Sequence, residues 1–192
     1  LQQAVVAAMA EGRNQYAPMT GDARLREWIA EDAEQRSGVR YHPETEVTVG
    51  AGASSLIVAT VQALLHPGDD VMVLTPCYDL YEPAVELAGG RLVCVPLQAE
   101  THRLDLPAMK AAWTESMRMG IVNVPHNPTG SAWSREDLRG LADLVEGTDA
   151  LVVSDEVYGP MHHDGREVLS VTYEPRLRER ALVFASFGKI LH

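Results

Sequence analysis

The apolar positions of this chain repeat with two periods, and the two periods alternate. Leu25, Trp28, Ile29 and Ala33 recur at helical spacing behind Asp22, a helix-capping residue type, and the run closes near Gly38. An alanine-rich helix over 1–11, stopped by Gly12, precedes it. A short strand is expected over 46–49, followed by a small-residue turn, Gly50 to Ser55, into a helix over 56–65 closed by Pro67 and Gly68. From there short apolar runs and helix-spaced runs follow in turn. Strands are predicted over 71–74, 91–95, 120–123, 151–154 and 181–185, and helices over 79–88, 107–114 and 134–146. Pro83 falls in the first turns of its helix, where proline is tolerated, and Ser134 with Asp137 forms a capping box. The 181–185 run is apolar throughout and predicts a buried strand. Units of this kind predict an α/β fold of three layers, a mostly parallel sheet with helices on both faces. No linker marks a division into two domains.

Composition changes this picture little. The chain's 192 residues are enough for one sizeable core. Its formal net charge of -11 argues against a nucleic-acid backbone or an anionic membrane as partner, while leaving room for a small anion in a local basic pocket. Cys77 and Cys94 have neither metal-ligand spacing nor the pattern of a disulfide framework, so a reducing cytoplasm is expected. The start of the chain shows no basic leader segment, and no apolar run reaches membrane-span length. His162, His163 and Asp164 lack a further well-spaced ligand and read as a solvated loop; no metal is expected.

Candidate chemistry gathers at the predicted strand ends. Lys189 follows the last strand through Ser186-Phe187-Gly188, with Gly188 expected to give a tight turn and close backbone approach. Strand ends are where α/β sheets keep their sites. A lysine there can attack a carbonyl as a neutral amine if its surroundings disfavour the charge; on this stretch alone, it reads more readily as a surface residue. Gly50 to Ser55 joins a strand to a helix start with almost no side-chain bulk, which suits a phosphate on free N–H groups and also suits a plain tight connection. Pro76, Tyr78 and Tyr81 follow the 71–74 strand; an aromatic there could stack on a flat ligand or serve the core. In Asn123-Val124-Pro125-His126-Asn127-Pro128-Thr129-Gly130 the prolines fix a rigid loop, and Asn127, preceding Pro128, is expected to be extended with its amide free for a ligand. Asp155, in Ser154-Asp155-Glu156-Val157-Tyr158, is either a helix cap or the partner of a buried cation.

Together these strings resemble the fold type I pyridoxal-phosphate aminotransferases of class I/II. The likeness runs from about Asn14 to His192 and is strongest to the branch holding methionine and kynurenine–glutamine aminotransferases. The strings that carry it are Asn14-Gln15-Tyr16, Ala51-Gly52-Ala53-Ser54, Pro76-Cys77-Tyr78-Asp79, Asn123 to Gly130, Ser154 to Tyr158 and Ser186 to Lys189, in the family's order. The resemblance implies that Lys189 forms a Schiff base with the cofactor aldehyde and moves the proton at the substrate α-carbon. It implies that Asp155 pairs with the pyridinium nitrogen, making the ring an electron sink. Tyr158 and Asn127 would hydrogen-bond the ring phenolate oxygen, Asn127 would also reach the substrate carboxylate, Asn123 would support that site, and Tyr78 would stack on the ring. Gly52, Ala53 and Ser54, with Ser186, would hold the phosphate, and Tyr16 would reach the phosphate of the neighbouring subunit of a homodimer.

Departures from the family pattern qualify the likeness. Gly50 and Ser55 replace bulkier or acidic residues, and Ile190-Leu191 replace a Thr-aromatic pair. The family's N-terminal arm, the basic phosphate ligand beyond the lysine and the small C-terminal domain with its carboxylate-clamping arginine have no counterpart. Residues 1–192 are therefore expected to be a fragment, the cofactor-binding large domain, with little transaminase activity alone. The expected function is amino-group transfer from an amino acid, such as methionine or an aromatic one, to a 2-oxo acid. The same strings also suit a carbon–sulfur β-lyase using that cofactor, or the aminotransferase-like effector domain of a regulator.

Overall fold

The computed structural model describes residues 1–161, 163, 165 and 169–190. The chain divides into two compact units, Leu1–Gly50 and Ala51–His192.

In the first unit, α1 (Gln2–Ala10) buries none of its residues. Helix α2 (Ala23–Ser37) starts where Asp22 accepts the Leu25 N–H and ends at Gly38 in the left-handed conformation, as the sequence predicts. Its buried positions are Arg26 and Ala30, whereas Trp28, expected on the apolar stripe, is 51% exposed. Arg26 is held by its guanidinium, which donates to the Pro43 carbonyl at 2.8 Å. The strand expected over 46–49 does not form. That segment finds no ladder among the described residues, and Val49 N–H instead bonds Thr20 O at 3.0 Å. Gly21 makes this approach possible: its φ is +98°, and a Cβ there would lie 2.6 Å from Val49 Cβ.

The second unit is a sheet of five strands in the order β2-β1-β3-β4-β5, with every neighbouring pair parallel. The strands are β1 (Asp70–Thr75), β2 (Arg91–Pro96), β3 (Met117–Asn123), β4 (Leu151–Asp155) and β5 (Ala181–Phe184). Helices α3 (Ala53–Leu64) and α4 (Tyr81–Leu87) cover one face; α5 (Leu106–Ala112), α6 (Arg135–Val145) and the short α7 (Pro175–Arg178) cover the other. The alternation of side chains along each strand splits the core accordingly. Val71, Val73, Met119, Ile121 and Val153 join Ile57 and Val61 of α3, while Met72, Leu74, Val122 and Val152 join Leu138, Leu141 and Val145 of α6. The three-layer α/β prediction is met. The predicted Ser134–Asp137 capping box is present, and Arg103 adds an ion pair to Asp137 at 3.0 Å.

Two further elements differ from their sequence expectation. β5 is not buried throughout: among the described residues it is the outermost strand of the sheet, and Leu182 and Val183 are each 37% exposed. Helix α3 begins at Ala53 rather than near residue 56, so Ser54 and Ser55 lie in its first turn.

Candidate functional site

The strand order places the cleft. The connection from β1 through α4 to β2 leaves over one face of the sheet, while β3 connects through α6 to β4 over the other. The connections after β1 and β3 therefore diverge, and the carboxyl side of the sheet between them is the general ligand position of open α/β folds. Because the strands are parallel, the segments after β1, β3, β4 and β5 all emerge there.

Asp155 is the last residue of β4 and is 4% exposed. Register puts it between Asn123 at the end of β3 and Phe184 at the end of β5. Its backbone carbonyl accepts from Asn123 Nδ2 at 2.7 Å and from Val124 N–H at 3.0 Å. Its carboxylate accepts the Tyr81 hydroxyl on Oδ2 at 2.8 Å and Val157 N–H on Oδ1 at 3.3 Å. Burial pushes the Asp155 pKa above the ordinary carboxylate value; the Tyr81 bond, the Val157 N–H and the charge of Lys189 all pull the other way.

Lys189 stands within electrostatic reach of Asp155, its Nζ 5.2 Å from the centre of the Tyr158 ring. It closes a 3-10 turn over Phe187–Lys189, in which Ser186 Oγ accepts Gly188 N–H at 3.1 Å. The expected tight turn is there, but Gly188 does not take a left-handed φ, and a Cβ on it would meet only Ser186 Oγ, at 3.4 Å. Lys189 itself is exposed.

Asn123 is committed internally: besides donating to Asp155, its Oδ1 accepts Asn127 N–H at 2.6 Å. That bond sets the start of the turn over 127–129, where the Asn127–Pro128 peptide is cis, as are Thr75–Pro76 and Val124–Pro125. The backbone of Asn127 thus enters a turn, and its side-chain amide makes no hydrogen bond among the described residues. Tyr78, after β1, is half-buried against the core cluster of α3 and α4 and meets Tyr81 edge to face, ring centres 5.7 Å apart. Ala53 packs on the same cluster. At the start of α3, Gly52 has a φ of +96°, the space a Cβ would enter there has nothing within 4 Å, and no side chain caps the helix. The first N–H groups of this 12-residue helix are thus available as donors.

Sequence alone marks Tyr81 only as an aromatic after β1, and it leaves His126 out of the site. His126 is 4% exposed, with Nδ1 2.8 Å from Thr129 Oγ1 and the Pro76 backbone close enough to act on the ring, so it lies between the loop after β3 and the loop after β1. Its position inside the Asn-Pro string was the one available signal. Tyr16, in the first unit, is fully exposed. Of the His162-His163-Asp164 run, His162 and Asp164 lie outside the described residues. No group of His, Cys, Asp or Glu among the described residues is arranged to hold a metal ion. No described helix is long and apolar enough to cross a membrane.

Comparison with known proteins gives this arrangement a family. The family model for aminotransferase class I and II matches residues 1–191. The chain belongs to that family. Among class I and II relatives, the methionine aminotransferase of Escherichia coli is 39% identical over 192 residues, covering 100% of this chain and 50% of that protein. A probable N-succinyldiaminopimelate aminotransferase of Mycobacterium tuberculosis is 38% identical, covering 99% of this chain and 48% of its own length. The crystal structure of Escherichia coli YbdL, described as having a methionine aminotransferase function, superposes with a TM-score of 0.95 at 39% identity, covering 98% of this chain and 50% of that one. The chain spans about half the length of the curated relatives it matches.

Proposed function

We propose that this chain forms the cofactor-binding part of a pyridoxal-phosphate-dependent aminotransferase that moves an amino group between an amino acid and a 2-oxo acid. The observation that carries the reading is a buried carboxylate, Asp155, at the end of a central parallel strand, with the amine of Lys189 close enough for its charge to act on it. The rest of the donor set suits the same group. The open start of α3 at Gly52, Ala53 and Ser54 offers N–H donors for a phosphate, with Ser186 nearby in role. Tyr78 offers a ring face, and Asn127 and Tyr158 offer polar side-chain groups that make no hydrogen bond among the described residues.

Bound there, pyridoxal phosphate supplies an aldehyde for the amino group and a ring that accepts the electron pair released at the α-carbon. Asp155 keeps a negative charge facing the ring nitrogen. Lys189 Nζ gives and takes the proton at the α-carbon. Asn127 orients the carboxylate of the amino acid, while Asn123 fixes Asn127 through its backbone N–H. Tyr158, under the amine, offers its hydroxyl to the oxygen on the ring. The likeness to methionine aminotransferase favours methionine as donor. Homodimer formation, with the exposed Tyr16 reaching the neighbouring subunit's phosphate site, belongs to the same reading. So does a cytoplasmic setting, which suits the two free cysteines.

The test is reductive trapping. The protein is incubated with pyridoxal phosphate, reduced with borohydride, digested and analysed by mass spectrometry. A phosphopyridoxyl adduct is expected on Lys189 and its yield is expected to collapse in Lys189→Ala. An adduct on Lys110, the chain's other lysine, or on the N-terminal amine, with none at Lys189, would overturn the assignment.

A further inference from the structure

Tyr81 and Asp155 are 74 residues apart in sequence and both nearly sealed from solvent, at 2% and 4% exposure. A buried phenol must find an acceptor for its proton, and backbone carbonyls are the common choice. Tyr81 instead donates to the site carboxylate, at 2.8 Å on Oδ2, while the other carboxylate oxygen receives only the longer Val157 N–H bond at 3.3 Å. The same ring holds Tyr78 edge to face, at 86° between planes. One side chain therefore touches both the acid and the aromatic face of the pocket, from underneath.

We infer that Tyr81 is a positioning residue of this site: its hydroxyl fixes the Asp155 carboxylate and holds it ionised for a cationic ring nitrogen, and its ring sets the tilt of Tyr78. This rests on the cofactor reading above. Titration behaviour agrees with the geometry. Burial, with the neighbouring Asp155 charge, pushes the Tyr81 phenol far above its ordinary range, so it stays a donor at every pH the fold meets. Burial drives Asp155 toward the neutral form, and the Tyr81 bond is the largest influence opposing it. A neutral Asp155 would offer a ring nitrogen no counter-charge.

The decisive variant is Tyr81→Phe, which keeps the ring against Tyr78 and deletes only the hydroxyl. In cofactor-free protein with 13C-labelled aspartate carboxyls, the Asp155 titration midpoint is expected to rise by about one pH unit, since a hydrogen bond to a charged group carries roughly a tenfold preference or more. Pyridoxal phosphate binding, followed by absorbance across pH, is expected to weaken by up to roughly tenfold at pH values below the unaltered protein's midpoint and to recover as the pH is raised past the new midpoint. An unmoved midpoint, or a loss of affinity that is the same at every pH, overturns the inference, because a packing defect alone would behave that way. Should Tyr81→Phe fail to fold, the comparison moves to Asp155→Asn with and without Tyr81→Phe. There the hydroxyl has no anion to serve, so the two are expected to bind the cofactor within about twofold of each other; a further large loss in the double variant overturns the inference. If the unaltered protein binds no pyridoxal phosphate at any pH, the cofactor reading fails, while the carboxyl titration still decides what Tyr81 does to Asp155.

Discussion

A single imidazole lies between two of the site's loops. His126 bonds the Thr129 hydroxyl with the Pro76 backbone close by, and burial, followed by the nearby His102, lowers its pKa below the ordinary histidine value. The neutral ring can donate from one nitrogen and accept at the other. The sign of the pH effect follows. The folded-state pKa is depressed, so the stabilisation is complete above the unfolded value of about 6.5 and is lost as the pH falls through the lower folded value. His126→Gln is expected to lower the thermal midpoint at pH 8 and to show a shallower decline than the parent between pH 7 and pH 5, read by circular dichroism. A parallel decline in both proteins would show that the ring's titration is not coupled to folding. At this scale the sequence was partly legible. Asp155 and Asn123 could be placed at strand ends because the apolar runs before them stop abruptly. The Tyr81–Asp155 bond could not, because helical spacing shows which residues share a face but not which strand end arrives beneath it.

Elements were legible where their local signals agree with their surroundings. Helix α6 has a capping box at Ser134 and Asp137, acidic residues in its first turn and an apolar stripe at Leu138, Leu141 and Val145, and it forms where the pattern predicts. Ser134→Ala removes the acceptor for the Asp137 N–H, which lies at 3.2 Å, and is expected to cost about 1 kcal/mol, measured by urea unfolding. A loss below about 0.3 kcal/mol would mean that Arg103 and Asp137 hold this end unaided. The 46–49 segment has strand-like residues but no strand beside it among the described residues, and a lone strand leaves its backbone groups unmet. β5 shows the converse. Its composition belongs to a central strand, and among the described residues its one ladder is with β4. Both differences lie in long-range pairing, which a local pattern does not contain.

On the scale of the whole chain, ligand binding and stability should move together. The proposed cofactor-binding residues from Gly52 to Lys189 come from α3, α4's approach, β3, β4 and the turn after β5, so a ligand touching them all binds only when the Ala51–His192 unit is folded. Pyridoxal phosphate at 100 times its dissociation constant is expected to add about 2.7 kcal/mol. For a chain of this size that raises the thermal midpoint by roughly 5–10 °C in scanning calorimetry. Lys189→Ala is expected to keep only a small part of that rise; an equal rise would show that the lysine contributes nothing to holding the cofactor. The grip on Asp155 has its own consequence. Its main-chain oxygen is clamped by Asn123 and Val124, and its side-chain oxygens by Tyr81 and Val157. Such an acid cannot swing aside to greet solvent, so an arriving cation meets a dipole already aimed at it, and the work of alignment was completed when the chain folded.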